Sequence, residues 1–141
     1  MKTEIFALCD AATQSGGKLN ILGTFDTIFS PQLPATHPQC SIALRLRFEK
    51  IEEGEHRIKV NIVDEDGRLV MPSFDLNLSL RMGDEAQTVS ANWVINIQRL
   101  RFERYGQYAI HLAVDGRSEA MLPLLVREVP PAPPAPPPQE S

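Results

Sequence analysis

Apolar and polar residues alternate at every second position over much of this chain. In Ile42-Ala43-Leu44-Arg45-Leu46-Arg47-Phe48-Glu49 each even residue is large and apolar, and the odd ones are small or charged. Phe74, Leu76, Leu78, Leu80 and Met82 alternate with Asp75, Asn77, Ser79 and Arg81. Val89, Ala91, Trp93, Ile95 and Ile97 interleave with Ser90, Asn92, Val94, Asn96 and Gln98. Ile58, Val60 and Ile62 follow the same rule, as do Tyr108, Ile110, Leu112 and Val114. Successive side chains of a strand point to opposite faces, so these runs predict strands with one dry and one wet face. That is the pattern of antiparallel sheets. Gly16-Gly17, Glu53-Gly54, Asp66-Gly67, Gly83-Asp84 and Asp115-Gly116 punctuate the runs as turns. The prediction is an all-β antiparallel sandwich, immunoglobulin-like in broad architecture. The nearest approach to an amphipathic helix, Trp93 to Arg104, fits alternation at least as well.

Two local features extend this reading. A three-residue turn at Glu52-Glu53-Gly54 would make one hairpin of the runs on either side, pairing Ile51 with Glu55. Phe48 would then face Ile58, Leu46 would face Val60, Leu44 would face Ile62, and Glu49 would oppose Arg57. In Tyr105-Gly106-Gln107-Tyr108, a glycine two residues before a strand-starting tyrosine suggests the tyrosine corner of immunoglobulin-like sandwiches, with the Tyr108 hydroxyl bonded to an upstream backbone group.

Two stretches are apolar at both parities, residues 19–29 and 120–126. The plain reading is a strand that crosses between sheets or seals a corner. The functional reading is an outer face covered by another subunit, which singles out Ile21, Phe25, Ile28, Met121 and Leu125, with Ala109 and His111 on the neighbouring strand. Pro123 lacks an amide donor, so the last strand should be an edge there or hold a bulge.

The chain has 141 residues, 43% of them apolar, with 14 Lys+Arg against 18 Asp+Glu. This describes one ordinary globular domain. Its net charge of −4 lacks the positive footprint expected of general nucleic-acid or anionic-membrane binding. No apolar run is long enough to span a bilayer as a helix. The acidic Glu4 and the early polar residues do not read as a signal peptide, so the expected compartment is the cytoplasm, with Cys9 and Cys40 as buried, reduced thiols. Seven of the twelve prolines fall in residues 130–138, which divides the chain into a sandwich domain at 1–129 and a Pro-rich disordered tail at 130–141. The tail reads as a polyproline spacer of about 28 Å. Its overlapping Pro-x-x-Pro sets also suit a partner with an aromatic polyproline-binding groove.

Candidate chemistry is sparse. Asp64-Glu65-Asp66-Gly67 could lend oxygens to Ca²⁺ together with Asp10, Asp26 or Asp84, and Asp64 and Asp66 with the 30–39 loop could form a loop-based ligand site. An Asp followed by Gly is more simply a hairpin turn. His37, His56 and His111 have no close spacing and Cys9 and Cys40 form no CxxC, so no zinc site or other cofactor is expected. Ser15-Gly16-Gly17-Lys18 matches a Ser-x-x-Lys hydrolase pattern on paper, but two glycines argue for a loop instead. Arg45, Arg47, Arg57, Lys59 and Arg81 have outward parity, giving either a mixed solvated face or a groove for an acidic partner.

Leu8-Cys9-Asp10-Ala11-Ala12-Thr13, followed by Gly17-Lys18-Leu19-Asn20-Ile21-Leu22-Gly23-Thr24-Phe25-Asp26-Thr27-Ile28, resembles an uncharacterised family of small bacterial proteins. Ile51-Glu52-Glu53-Gly54-Glu55-His56, Asp64-Glu65-Asp66-Gly67 and Gly106-Gln107-Tyr108 extend the resemblance over nearly all of 2–128. It implies a bacterial, cytoplasmic, β-rich protein and carries no activity, cofactor or catalytic residue. The expected function is a non-enzymatic binding or assembly module that self-associates, or binds another protein, through its two-faced strands. The alternatives are a loop-based ligand- or Ca²⁺-binding sandwich and an unrecognised hydrolase.

Overall fold

The computed structural model describes residues 1–130 and 136–138. Among the described residues the alternating runs become nine strands: β1 (Lys2–Ser15), β2 (Lys18–Thr24), β3 (Thr27–Ser30), β4 (Ala35–Glu49), β5 (Gly54–Val63), β6 (Phe74–Leu80), β7 (Thr88–Phe102), β8 (Gly106–Val114) and β9 (Arg117–Glu128). They form a four-stranded sheet, β2-β1-β4-β7, and a five-stranded sheet, β3-β9-β8-β5-β6. Every pairing between neighbours is antiparallel except β3 with β9. On the immunoglobulin scheme β1, β4 and β7 occupy the places of A, B and E, and β5, β8 and β9 those of C, F and G. The expected Pro-rich tail falls, for residues 131–135 and 139–141, outside the described residues.

The two sheets turn the apolar parities foreseen in the sequence inward. Ile42, Leu44, Leu46 and Phe48 of β4, Ile58 and Val60 of β5, and Ile110 and Leu112 of β8 have no exposed surface. The hairpin expected between Phe48 and Ile58 does not form. β4 pairs with β1 and β7, whereas β5 pairs with β6 and β8. A single 3₁₀ turn at Lys50–Glu52 carries the chain from one sheet to the other. The six apolar residues therefore meet across the sandwich rather than along a ladder. Alternation fixes the side a residue faces, and facing sheets satisfy it as well as a hairpin does. Gly54 at φ 126° is also far from the left-handed helical value that the proposed turn requires.

The stretch 19–29 crosses between sheets, as its mixed parity allowed. β1 and β2 are joined by a tight turn with positive φ at both Gly16 and Gly17, the geometry of a two-residue hairpin turn rather than a loose loop. The tip of this hairpin folds back over the four-stranded sheet. The carbonyl of Gly17 accepts hydrogen bonds from Asn92 Nδ2 at 3.0 Å and Arg45 Nη1 at 3.4 Å. Beneath it Ala12, Leu19 and Ile21 pack on Cys9, Ala43 and Val94 in a second, smaller apolar cluster. Gly23 sits where the hairpin bends. Its φ is 69°, and a Cβ there would lie 2.4 Å from Asp10 Oδ2. The chain then leaves for the other sheet as β3.

Pro123 occupies β9 two residues before β3 pairing begins at Leu125. The Leu125 amide points to the β3 side, where it donates to Asp26 O at 2.8 Å. Position 123 shares that direction, and no β3 residue lies opposite it. The missing donor thus falls at a local edge. Near the start of β8, one residue from the Ala109 that Pro123 pairs with, Tyr108 Oη donates to the Arg104 carbonyl at 2.6 Å, and its ring meets Phe102 edge-on at 4.8 Å. This is the tyrosine corner read from the sequence.

Tyr108 is 8% exposed, so Tyr108→Phe leaves a part-buried carbonyl without its donor. We expect a loss of about 1–3 kcal/mol of stability in urea unfolding, with the denaturant slope unchanged. A change below about 0.5 kcal/mol would show that the corner contributes no more than an ordinary surface position.

Candidate functional site

The outer face of the five-stranded sheet combines rigidity with uncovered apolar surface. Ile110, Leu112, Leu124 and Val126 point into the core, so their neighbours point out. The β8–β9 register sets Ala109 beside Pro123 and His111 beside Met121. Parallel pairing with β3 adds Phe29 beside Arg127, next to Leu125. Met121 and Phe29 are each 59% exposed. A shallow groove of about 610 Å³ runs past Val63, Gln107, Ala109, His111, Met121 and Pro123. Asn61 pairs with His111 in the β5–β8 ladder, and its Oδ1 is buried with no hydrogen-bond partner.

Four residues singled out from the sequence thus converge on one surface: Ala109, His111, Met121 and Leu125. The other three are used inside the molecule. Ile21 holds the folded-back hairpin down, Phe25 packs on the core and stacks with His37 at 5.4 Å, and Ile28 is a core residue at 6% exposure. Phe29 was visible only as part of a two-faced stretch. Its place on this surface depends on the β3–β9 pairing, which alternation does not encode.

The remaining chemistry-bearing residues serve the fold. Asp64 Oδ1 accepts the amides of Asp66 and Arg68, both at 2.9 Å, and Asp64 Oδ2 faces Arg104 Nη2 at 3.6 Å. The Arg68 amide first, then that of Asp66 and the Arg104 charge, hold its carboxyl below the usual range despite opposing desolvation. An oxygen already shared by two amides, beside a guanidinium, suits a turn better than Ca²⁺. Glu65 Oε1 accepts the Gln107 amide at 3.0 Å and ties this turn to the tyrosine corner. Among the described residues no three His, Cys, Asp or Glu side chains are placed to hold a metal. Cys9 and Cys40 are buried and unbridged. Burial raises both thiols, Cys40 to about 11.

The cationic residues are divided between the sheets. Glu4 is set onto the outer face of the four-stranded sheet by a register shift between Thr3 and Ile5. There its two oxygens take Arg45 Nε and Arg47 Nε, each at 3.0 Å. Lys59, on the other sheet, has Asp75 at 3.9 Å. The opposition of Arg47 and Lys59 implied by the unformed hairpin does not occur. Ser15 and Lys18 flank the Gly16-Gly17 turn as a cross-strand pair.

The architecture defines an all-β sandwich of two largely antiparallel sheets. The chain belongs to a family of unknown function, DUF6941, whose profile matches residues 4–127. No curated protein matches it in sequence. Among solved structures it is similar to the Pseudomonas fluorescens alkylpurine DNA glycosylase AlkC bound to DNA containing an abasic site analog. The TM-score is 0.52 at 11% identity, over 89% of this chain and 30% of that one. It is also similar to a β-glucuronidase of glycoside hydrolase family 2, with a TM-score of 0.41 at 20% identity over 65% of this chain and 10% of the other. The chain spans less than a third of the glycosylase, and the likeness concerns the fold alone.

One titrating cluster stands where the chain crosses between sheets. The His56 ring packs on Phe48 at 5.0 Å, its Nδ1 lies 2.7 Å from Asp115 Oδ2, and its Nε2 lies 2.5 Å from the Glu52 carbonyl. Both partners accept, so both contacts are satisfied together only when both ring nitrogens donate, which favours the imidazolium. Desolvation is the largest influence on the ring and lowers its pKa, but the Glu52 carbonyl and Asp115 together outweigh it, and the pKa rises above 6.5. The Arg57 amide, then His56, holds the Asp115 carboxyl low. A raised histidine contributes stability that is full below its unfolded pKa and lost as pH rises through the folded value. A depressed aspartate contributes above its unfolded pKa and loses this as pH falls through the folded value. Both contributions are full between about pH 4 and 6.5. We expect the stability difference between the native chain and His56→Gln, measured by denaturant unfolding, to be larger at about pH 5.5 than at about pH 8.5. A difference that is flat, or larger at the higher pH, would contradict an imidazolium bridge.

Proposed function

We propose that this chain is a non-enzymatic binding and assembly module that associates with a second copy through the outer face of its five-stranded sheet. The observation that carries the reading is the convergence of exposed Met121 and Phe29 with Ala109, Pro123 and Leu125 on one rigid face whose reverse is the core. Contiguous exposed apolar surface of this kind is uncommon on proteins that act alone. Its centre lacks formal charge, while Asp64, Glu65, Lys59 and Arg127 lie at its margins, the distribution of a buried centre with a polar rim. Ala109 and Ala113 keep the middle of the face low, so an opposing side chain can approach the sheet.

The non-enzymatic part of the reading rests on how the reactive groups are employed. Asp64 closes a turn, His56 bridges two loops, and both thiols are buried with raised pKa values. Unbridged buried cysteines also fit the reducing cytoplasm. A foreign protein partner with the same apolar complement is the second reading, favoured by the small-residue centre, which does not demand a symmetric mate.

Met121→Glu places a charge at the middle of this face while leaving the inward side chains untouched. We expect the weight-average mass in sedimentation at high protein concentration to fall by at least one association step, with the melting temperature unchanged. An unchanged mass, or a native chain that stays at 15.7 kDa throughout, would overturn self-association through this surface.

A further inference from the structure

The end strands of the two sheets differ in how they are protected. β3 has four residues, β2 carries Lys18 and the Gly23 bend, and β6 has seven residues including Asp75, which Lys59 accompanies. β7 has fifteen residues and, among the described residues, pairs only with β4. Thirteen consecutive residues, Ala86 to Gln98, carry no charge. Long edge strands normally bear lysines, prolines or bulges that prevent pairing with another chain. β7 has its irregularity only at the far end, where Arg99 adopts φ 55° and the β4 register skips Pro38 and Arg99. From Thr88 to Gln98 the strand is regular and bare.

The side chains of this edge are unfinished in the same region. Ile95, Ile97, Leu100 and Phe102 are buried, but Val89, Ala91 and Trp93, on the same inner face, are only half-buried. β6 shows the same at Phe74, Leu76 and Leu78. β1 lies over β9 at one flank of the sandwich, so β7 and β6 share the other. The outer side of β7 carries Ser90, Asn92, Val94, Asn96 and Gln98, none of them charged; Asn92 is held by Gly17, Asn96 by Ser41 and Val94 by the β1–β2 hairpin, so the free groups of this edge are those of the main chain.

We propose that β7 pairs edge to edge with β7 of a second copy, antiparallel and about a two-fold axis, joining two four-stranded sheets into one of eight strands. Self-pairing centred near Val94 sets Ser90 opposite Gln98 and Asn92 opposite Asn96, with no like charges in register. The main chain of each copy supplies the donors and acceptors the other lacks, and the half-buried Trp93 rings of the two copies become diagonal neighbours across the seam. The self-complementary, uncharged run is what commits the edge to its own copy rather than to a foreign strand. This contact is separate from the outer face of the five-stranded sheet. Two isologous contacts on one chain generate either a closed dihedral tetramer or an alternating filament.

Trp93 is the only tryptophan, so its emission reports on the seam directly. The native chain is expected to show a blue shift of Trp93 emission and at least tenfold slower hydrogen exchange at alternate amides of 88–98 as concentration rises. The double variant Ser90→Glu with Gln98→Glu sets four carboxylates along the seam. Ser90 opposes Arg47 within the chain and Gln98 is exposed, so the variant folds, as an unchanged melting curve will show. It is expected to abolish the shift and the protection while association sensitive to Met121→Glu persists, and combining all three substitutions gives the monomer. Concentration-independent exchange at 88–98 in the native chain would overturn the edge pairing, even where Met121→Glu still lowers the mass. Protection that survives the double variant would overturn it as well.

Discussion

Burial of one set of apolar side chains between two sheets is the constraint from which the rest of this molecule follows. Ile42, Leu44, Leu46 and Phe48 meet Ile58, Val60, Ile110 and Leu112 in a layer that excludes water. Packing at interior density tolerates little change of volume, so the positions of β4, β5 and β8 are fixed by this contact more than by any hydrogen bond. Once they are fixed, the opposite parity of each strand must lie outside. On the four-stranded sheet that outer side is partly roofed by the β1–β2 hairpin and crossed by the Arg45–Glu4–Arg47 clamp. On the five-stranded sheet, Met121 and Phe29 remain largely uncovered.

The polar groups are arranged around this core in a consistent way. Asp64, Glu65 and Tyr108 fasten the loop after β5 to the turn before β8. His56 joins Asp115, in the turn after β8, to the crossing between β4 and β5, with Glu52 held in turn by the N-terminal amine. These are the side chains that a search for catalysis would select first. Each is held by backbone groups or by an opposite charge, which lowers the free energy of the folded state.

Much of the architecture was legible in the sequence, because a period of two names the buried face directly. The inward positions of β4 to β8, the tyrosine corner and the local edge at Pro123 were all readable from residue type and spacing. Pairing was less so. Phe48 and Ile58 belong together in space, yet the same alternation serves a hairpin or a sandwich, and the 3₁₀ turn at Lys50–Glu52 decided between them. The fold-back of the first hairpin was hidden for a similar reason: Ala12 and Ile21 are covered by tertiary contact with Ala43 and Val94, far away in sequence. Of the residues read as interface candidates, Ala109, His111, Met121 and Leu125 share a surface because β8 and β9 are adjacent strands with known parity. Ile21, Phe25 and Ile28 were apolar for internal reasons that two-faced hydrophobicity does not distinguish.

On the proposed reading, the outer face of the five-stranded sheet is completed by a second copy of the chain. A dilution series of amide ¹H–¹⁵N spectra tests this most directly. Concerted shifts confined to Thr27–Ser30, Gln107–Ala113, Met121–Arg127 and the β7 edge are the predicted result. Resonances that stay fixed at every concentration, or that move only on the β1–β2 hairpin, would contradict it.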